Sequence, residues 1–307
     1  VTIPWPGQVA YSPGVQYSVD VGYWTGSITY QAAWMTSPVI ISVGSGPDAN
    51  GIGWVWNSID GWDSPDVAGQ VVQRSADHGG WPSPQYYAPR ILTLTITASA
   101  PSQAVRDLAR LLFQQAIPVN DLATLIYNEP LPKQVNFRRS GRITEVCETL
   151  TDVTFTCNLV CPDPRKYSVV LKSGPVTVLA ETVWMTVPAA IPFTLPAQPP
   201  PASVLATNAG TFETRPVVSV NGPLTGPQLV NQQTGQSVTF STVSLGPGDV
   251  LSADFSNQSA TLNGAYQAAD VSSSWFVLQP GPAVINVTGS QGSGGATFAV
   301  TFRDAYM

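Results

Sequence analysis

In residues 90–99, RILTLTITAS, the apolar residues Leu92, Leu94, Ile96 and Ala98 alternate with Thr93, Thr95, Thr97 and Ser99. A period of two places each set on its own face of a strand, so the pattern predicts a half-buried strand with a hydroxyl-bearing outer face. The period then changes. In residues 100–115, APSQAVRDLARLLFQQ, Val105, Leu108, Leu111 and Leu112 fall on one helical face, with Arg106 and Arg110 pointing away. Ser99 or Ser102 suits the N-cap, Pro101 suits the first turn, and Pro118 marks a helix that has ended. This is the only substantial helix the pattern predicts.

Strands follow in DLATLIYNE, GRITEVCET and DVTFTCNLVC. In the last, Val153, Phe155, Cys157, Leu159 and Cys161 share a face, and the short connection before it implies an antiparallel hairpin. The prolines of PDPRKYS are expected to end that run. Upstream, residues 1–37 alternate only partially and suit an added arm or an edge hairpin, PVIISVG reads as a short strand, and GSGPDANGIG reads as a turn. Downstream, residues 189–203, AAIPFTLPAQPPPAS, are too rich in proline for a sheet interior and read as an extended crossover. Beyond them, PVVSVNG, SVTFSTV, DVLSADFS, SATLNG, SSWFVLQPG, AVINVTG and ATFAVTFR are short strand candidates spaced as in an antiparallel sandwich.

Length and composition sharpen this picture. A chain of 307 residues suggests two cores. Only 10% of residues are charged, against roughly 25% in ordinary domains, while 28 prolines and 26 glycines punctuate the strands. Sparse charge fits a protein packed into an assembly. The net charge of −6 offers no broad positive field, so sequence-specific nucleic acid is not an expected partner. No apolar run is long enough to enter a bilayer and no leader is visible, so synthesis in a cytoplasm is expected. On one strand Cys157 and Cys161 would lie about 13 Å apart, beyond disulfide reach. With Cys147 they read as reduced core residues, and neither a metal site nor a cofactor is predicted.

The candidate chemistry is thin. His78, the one histidine, sits in SADHGGWPSPQYYAPR, where glycines and prolines predict an irregular docking loop leading into a strand in place of a general base. In DGWDSPD, Asp60, Asp63 and Asp66 stand three apart beside Trp62. That spacing could suggest a calcium loop or a glycosidase pair, but it lacks the alternate oxygens and downstream glutamate of the first, and turns around a buried Trp explain it. GSQGSGG has no lysine and reads as a hairpin tip. Tyr266 and Trp275 could stack on a sugar, with Trp275 or its neighbour Phe276 facing the core. Asp60, Trp62, Asp63, His78, Trp81, Tyr86 and Arg90 are the expected interface residues, and no catalytic residue is predicted.

The order of SIDGWDSPDV, YYAPRILTLTITAS, PSQAVRDLARLL and PDPRKYS resembles the ring domain of the distal tail (Dit) proteins of siphovirus-type phages. NAGTFETRPVVSVNGPL, LVNQQTGQSVTF, LGPGDVLSADF, WFVLQPGPAVINV and FRDAYM are similar to the carboxy-terminal part of the same minor tail protein family. Together these segments cover about residues 55–168 and 205–307. The resemblance implies a mainly β protein: a β-sandwich-like α+β ring domain with one helix over 1–168, its arm at about 1–37, then a galectin-like antiparallel β-sandwich over 169–307. It further implies a non-enzymatic, homohexameric ring at the virion tail tip, between tail tube protein and tail-tip hub protein. Other minor tail proteins or fibres, or a host surface glycan, are the remaining implied partners.

Overall fold

The computed structural model of the chain describes residues 25–32, 35, 37–174, 177–178, 202–291 and 295–307. Residues 1–24 and nearly all of the expected crossover 189–203 lie outside this set. The described residues are mainly antiparallel β-structure with one α-helix, and their buried side chains form two clusters.

The first cluster is enclosed by β1 (Gly26–Tyr30), β2 (Val39–Val43), β3 (Gly53–Asp60), then, after the short strands β4 (Val67–Ala68), β5 (Val71–Gln73), β6 (Gly80–Pro82) and β7 (Tyr86–Tyr87), by β8 (Arg90–Ser99), α1 (Gln103–Ala116), β9 (Ala123–Tyr127), β10 (Lys133–Cys147), β11 (Asp152–Cys161) and β12 (Lys166–Ser168). The strand order is β2-β1-β9-β10-β11-β8-β3. Strand β10 joins two halves: residues 133–137 pair with β9, and from Arg138 onward the strand pairs with β11. Its register shifts between Arg139 and Ile143, around Gly141 at φ 93°, a bulge that lets one long strand serve both halves. Residues 26–30, inside the segment expected to be an arm or edge hairpin, form a sheet strand flanked by β2 and β9, with Ile28 buried.

The alternation in β8 holds in space. Leu92, Leu94, Ile96 and Ala98 are fully buried. On the other face Thr93 bonds Asn158 (3.1 Å), Thr97 bonds Thr154 (2.8 Å), and Ser99 bonds Asp152 across the β8–β11 pair. Each such cross-strand pair adds a few tenths of a kcal/mol and fixes the register.

Helix α1 starts where expected, with Ser102 Oγ accepting from the Val105 amide, but of the expected face only Val105 and Leu112 pack against the core. Ala109, Phe113 and Ala116 are buried, whereas Leu108 and Leu111 are exposed. Phe113 stacks on Phe155 with centroids 4.3 Å apart, Trp54 lies 6.2 Å from Phe113, and the alanines admit the sheet closely. Nor do the arginines both point away: Arg106 is buried and reaches the Thr149 carbonyl, while Arg110 pairs with Glu145 of β10 at 2.7 Å. All three cysteines are free; Cys157 and Cys161 are buried, but Cys147 is exposed and not a core residue.

The second cluster lies between two antiparallel sheets. One contains 297–302, 217–221, 250–254, 259–262 and 265–267 in that spatial order; the other contains 202–208, 281–291, 224–231 and 237–239. Three features here stand apart from the sequence reading. Residues 273–279 form no strand beyond a bridge from Leu278 to Thr214, although Phe276 and Leu278 are buried. Residues 224–231 form an internal strand despite Pro227, because a register shift between Thr225 and Gln228, with Gly226 at φ 64°, takes up the proline. The strands that flank GSQGSGG, 281–291 and 297–302, belong to different sheets, and residues 292–294, where the hairpin tip was expected, lie outside the described residues.

The two units share a seam. PDPRKYS does not end the sheet: Lys166–Ser168 pairs with β10 on one side and with Ala305–Tyr306 on the other. Arg165 pairs with Glu213 (2.6 Å), Lys172 pairs with the buried Asp304 (2.7 Å), and Arg303 Nη1 donates to the carbonyls of Ser168 and Val169. Gly210 is required, since a Cβ there would meet the Ala305 carbonyl oxygen at 1.9 Å.

The helix face is open to test. Phe113→Ala is expected to cost about 3–5 kcal/mol in denaturant unfolding, and Leu111→Ala about 0.5 kcal/mol or less. Equal losses would contradict the packing described.

Candidate docking surfaces

The stretch expected to be an irregular loop is an ordered hairpin arm. Its root is β4 paired with β7, and its outer part is β5 paired with β6. Backbone amides of Ala88, Ser83 and Arg74 donate to the carbonyls of Asp66 (2.8 Å), Gln70 (3.1 Å) and Gly79 (3.1 Å), rungs that run the length of 66–88. The arm is rich in exposed apolar groups: Val67, Val71, Val72, Trp81 (62% exposed) and Tyr86 (72%). Near the tip the Arg74 guanidinium lies 4.4 Å from the Trp81 ring centre and 3.3 Å from Asp77. His78 is exposed there, its amide bonded to the Asp77 carboxylate.

The expected interface residues therefore divide. Asp60, Asp63, His78, Trp81 and Tyr86 are exposed, at the end of β3, the arm's root or the arm itself. Trp62 and Arg90 are corrections: both are buried, so neither side chain is presented to a partner. Burying a guanidinium requires acceptors, and Arg90 finds three carbonyls, those of Gly61 (3.0 Å), Trp62 (2.7 Å) and Pro164 (3.0 Å). Lys166 adds bonds to the Trp62 (3.0 Å) and Asp63 (3.4 Å) carbonyls, and Trp62 donates its ring NH to Glu129. Gly61, at φ 81°, turns so close to β8 that a Cβ would meet the Ile91 oxygen at 2.1 Å. Two buried cations thus pin the arm's root to the segment leading into β12. The signal in the sequence is a lone Arg at the head of an apolar strand, which has two readings, surface contact and internal clamp.

Burial, with Arg90 and Lys133 nearby, lowers the Lys166 ammonium to about 8, against the pull of Glu129 and Asp63. Burial also pushes the Cys157 and Cys161 thiols up to about 12, which removes their nucleophilic form near neutrality. Among the described residues no three His, Cys, Asp or Glu side chains are grouped to hold a metal ion. No helix among them is long and apolar enough to cross a membrane.

On the second unit, Tyr266 and Trp275 line one shallow pocket of about 250 Å³ together with Gln258, Gln267 and Asp270. Tyr266 is exposed, whereas Trp275 packs edge-on against Phe255 at 5.1 Å.

Residues 209–306 match the family of the siphovirus-type tail component, C-terminal domain. That match covers about a third of the chain. In fold the chain is similar to the SPP1 Dit protein, described as a paradigm of the hub adsorption apparatus in phages infecting Gram-positive hosts, at 14% identity and a TM-score of 0.57 over 83% of this chain and 94% of that one. It is also similar to a chain of the phage P2 baseplate in its activated conformation with Ca, at 8% identity and a TM-score of 0.54 over 91% and 97% of the two chains. The corresponding strontium form gives 10% identity and a TM-score of 0.55 over 91% and 98%. A search of curated proteins finds no match.

The buried lysine makes a test. Unfolded, Lys166 keeps its proton up to about 10.5; folded, it releases it at about 8. Between those values the unfolded chain binds more protons, so this group makes stability rise with pH, and below about 8 its cost is present in full. Lys166→Met should remove that rise when urea midpoints of the two proteins are compared from pH 7.5 to 10.5. An unchanged difference across the range would refute the assignment.

Proposed function

We propose that this chain is a phage tail-tip protein, a non-enzymatic subunit of a homohexameric ring joining the tail tube to the tail-tip hub. The observation that carries the reading is the likeness of almost the whole chain, not only its matched second half, to a hub protein and to baseplate chains. In this reading 1–168 forms the ring and 169–307 projects from it. The hydroxyl ladder of β8 and β11 supports it: Thr93, Thr95, Thr97, Thr154 and Thr156 make a polar face whose charges, Asp152 and Glu148 at its end, are acidic, so it does not hold phosphates passing along it. The exposed Trp81 and Tyr86 of the arm supply the aromatic groups typical of interface centres and dock it onto a neighbouring tail component. Native mass spectrometry of the purified protein should show six-copy rings, and virions should contain the chain. A protein that stays monomeric at every concentration and is absent from virions would falsify the reading.

A second reading has one observation behind it, the shared pocket of Tyr266 and Trp275. In it the second unit binds a host surface glycan. Tyr266→Ala is the variant to use, because Trp275 supports Phe255 and its loss would disturb the core. Glycan-array binding lost in Tyr266→Ala, with unchanged unfolding, is expected; a blank array with the parent protein rejects this reading.

A further inference from the structure

The seam between the two units runs into a cleft of about 590 Å³. Its walls come from both sides: the start of β1 at Gly26, the β9–β10 turn at Leu131 and Pro132, and, beyond β12, Val170 and Tyr306. Leu131 is 63% exposed and Val170 70%, so large apolar groups stand at the mouth without cover from the described residues. Asp304 is the only charged side chain among the described lining residues, and its carboxylate is taken by Lys172 (2.7 Å) and the Ala209 amide (2.8 Å). The cleft therefore suits an uncharged, largely apolar occupant and offers no free charge to an ion.

The chain itself arrives at this cleft. It enters β1 from residues 1–24, and two bonds hold the point of entry to the rim: the Thr25 carbonyl accepts from the Asn128 amide (2.9 Å), and Thr25 Oγ1 accepts from Asn128 Nδ2 (2.7 Å), Asn128 being itself a lining residue. At the next position the backbone lies so close to β9 that a Cβ on Gly26 would meet the Ile126 oxygen at 2.4 Å, which fixes the entry against the wall. The same Cβ would lie 3.3 Å from Trp56 Nε1, a buried ring NH with no acceptor among the described residues. An orphaned donor is costly to bury, and this one stands beside the stretch that leads into Thr25. The composition of that stretch matches the cleft: Trp5, Tyr11, Tyr17, Tyr23 and Trp24 against one charged side chain, Asp20. The similarly uncharged stretch 179–201 is carried away from it, because Val178 pairs with Thr297, roughly 20 Å along that strand from Asp304, and Ala202 pairs with Val287 in the opposite sheet.

We infer that residues 1–24 fold back over this cleft within the same chain, with the adjacent aromatics Tyr23 and Trp24 filling it. Neighbouring side chains of an extended segment point to opposite sides, so one of the pair turns toward the cleft whichever way the entry twists. The contact reaches Leu131 and Pro132 on the first unit and Val170 and Tyr306 at the seam, and the segment thereby straps the two units together. The strap is present in a single copy and is independent of the ring reading.

The test uses the full chain. The photo-cross-linking residue p-benzoylphenylalanine replaces Leu131, an exposed turn position outside both cores. After irradiation the product should run at monomer mass on a denaturing gel, and the chymotryptic peptides joined to position 131 should come from residues 17–24. The same probe at Val170 repeats the measurement from the seam side, and at Leu205, exposed on the second unit, it should join none of these peptides. Tyr23→Ser combined with Trp24→Ser, with an unchanged circular dichroism spectrum, should lose most of the product formed at position 131. Products at dimer mass, peptides from 179–201, no product from either cleft position, or an undiminished yield in the double variant each overturn the strap.

Discussion

Both cores and the hairpin arm are tied to one short stretch, residues 161–168. Its carbonyl at Pro164 accepts from Arg90, its Lys166 holds the carbonyls of Trp62 and Asp63, and its strand β12 joins β10 to Ala305–Tyr306. The bonds are directional and most run to backbone, so they set angles as well as distances. The cost of burying two cations is met by carbonyl oxygens that would otherwise be orphaned where the chain turns through Gly61 and the prolines. The result is an arm whose apolar side chains face outward while its root is as fixed as the core.

Scarce charge is placed with economy in this molecule. Arg165–Glu213 and Lys172–Asp304 hold the seam, Arg110–Glu145 holds the helix to β10, and Lys133–Glu129 supports Trp62. The wide faces between them carry hydroxyls and amides. Such surfaces are soluble without being strongly oriented by salt or by a polyanion, a property suited to a component that packs on several sides at once.

Local periodicity made much of the first unit readable: β8, the span of α1 and the β10–β11 hairpin follow from spacing, Ser102 and Pro118. The packed face of α1 did not, because Leu108 and Leu111 outweigh Ala109 and Ala116 on any hydrophobic scale, yet only small residues beside Phe113 allow its ring to lie on Phe155. Pro227 hid an internal strand because a bulge can absorb what a regular ladder cannot. The arm escaped notice because its rungs are short and its apolar residues face solvent, so no inner face imposes alternation.

The pairing of Ala305–Tyr306 with β12 has a consequence for synthesis. Asp304 meets Ser168 across a separation of 136 positions, so the ribosome has released the earlier sheet long before its last partner emerges. Until then β12 has an unfilled side, and contacts so distant along the chain form late. A translation product cut short before residue 304 would carry an incomplete seam, with β12 open on the side that Ala305–Tyr306 otherwise fills.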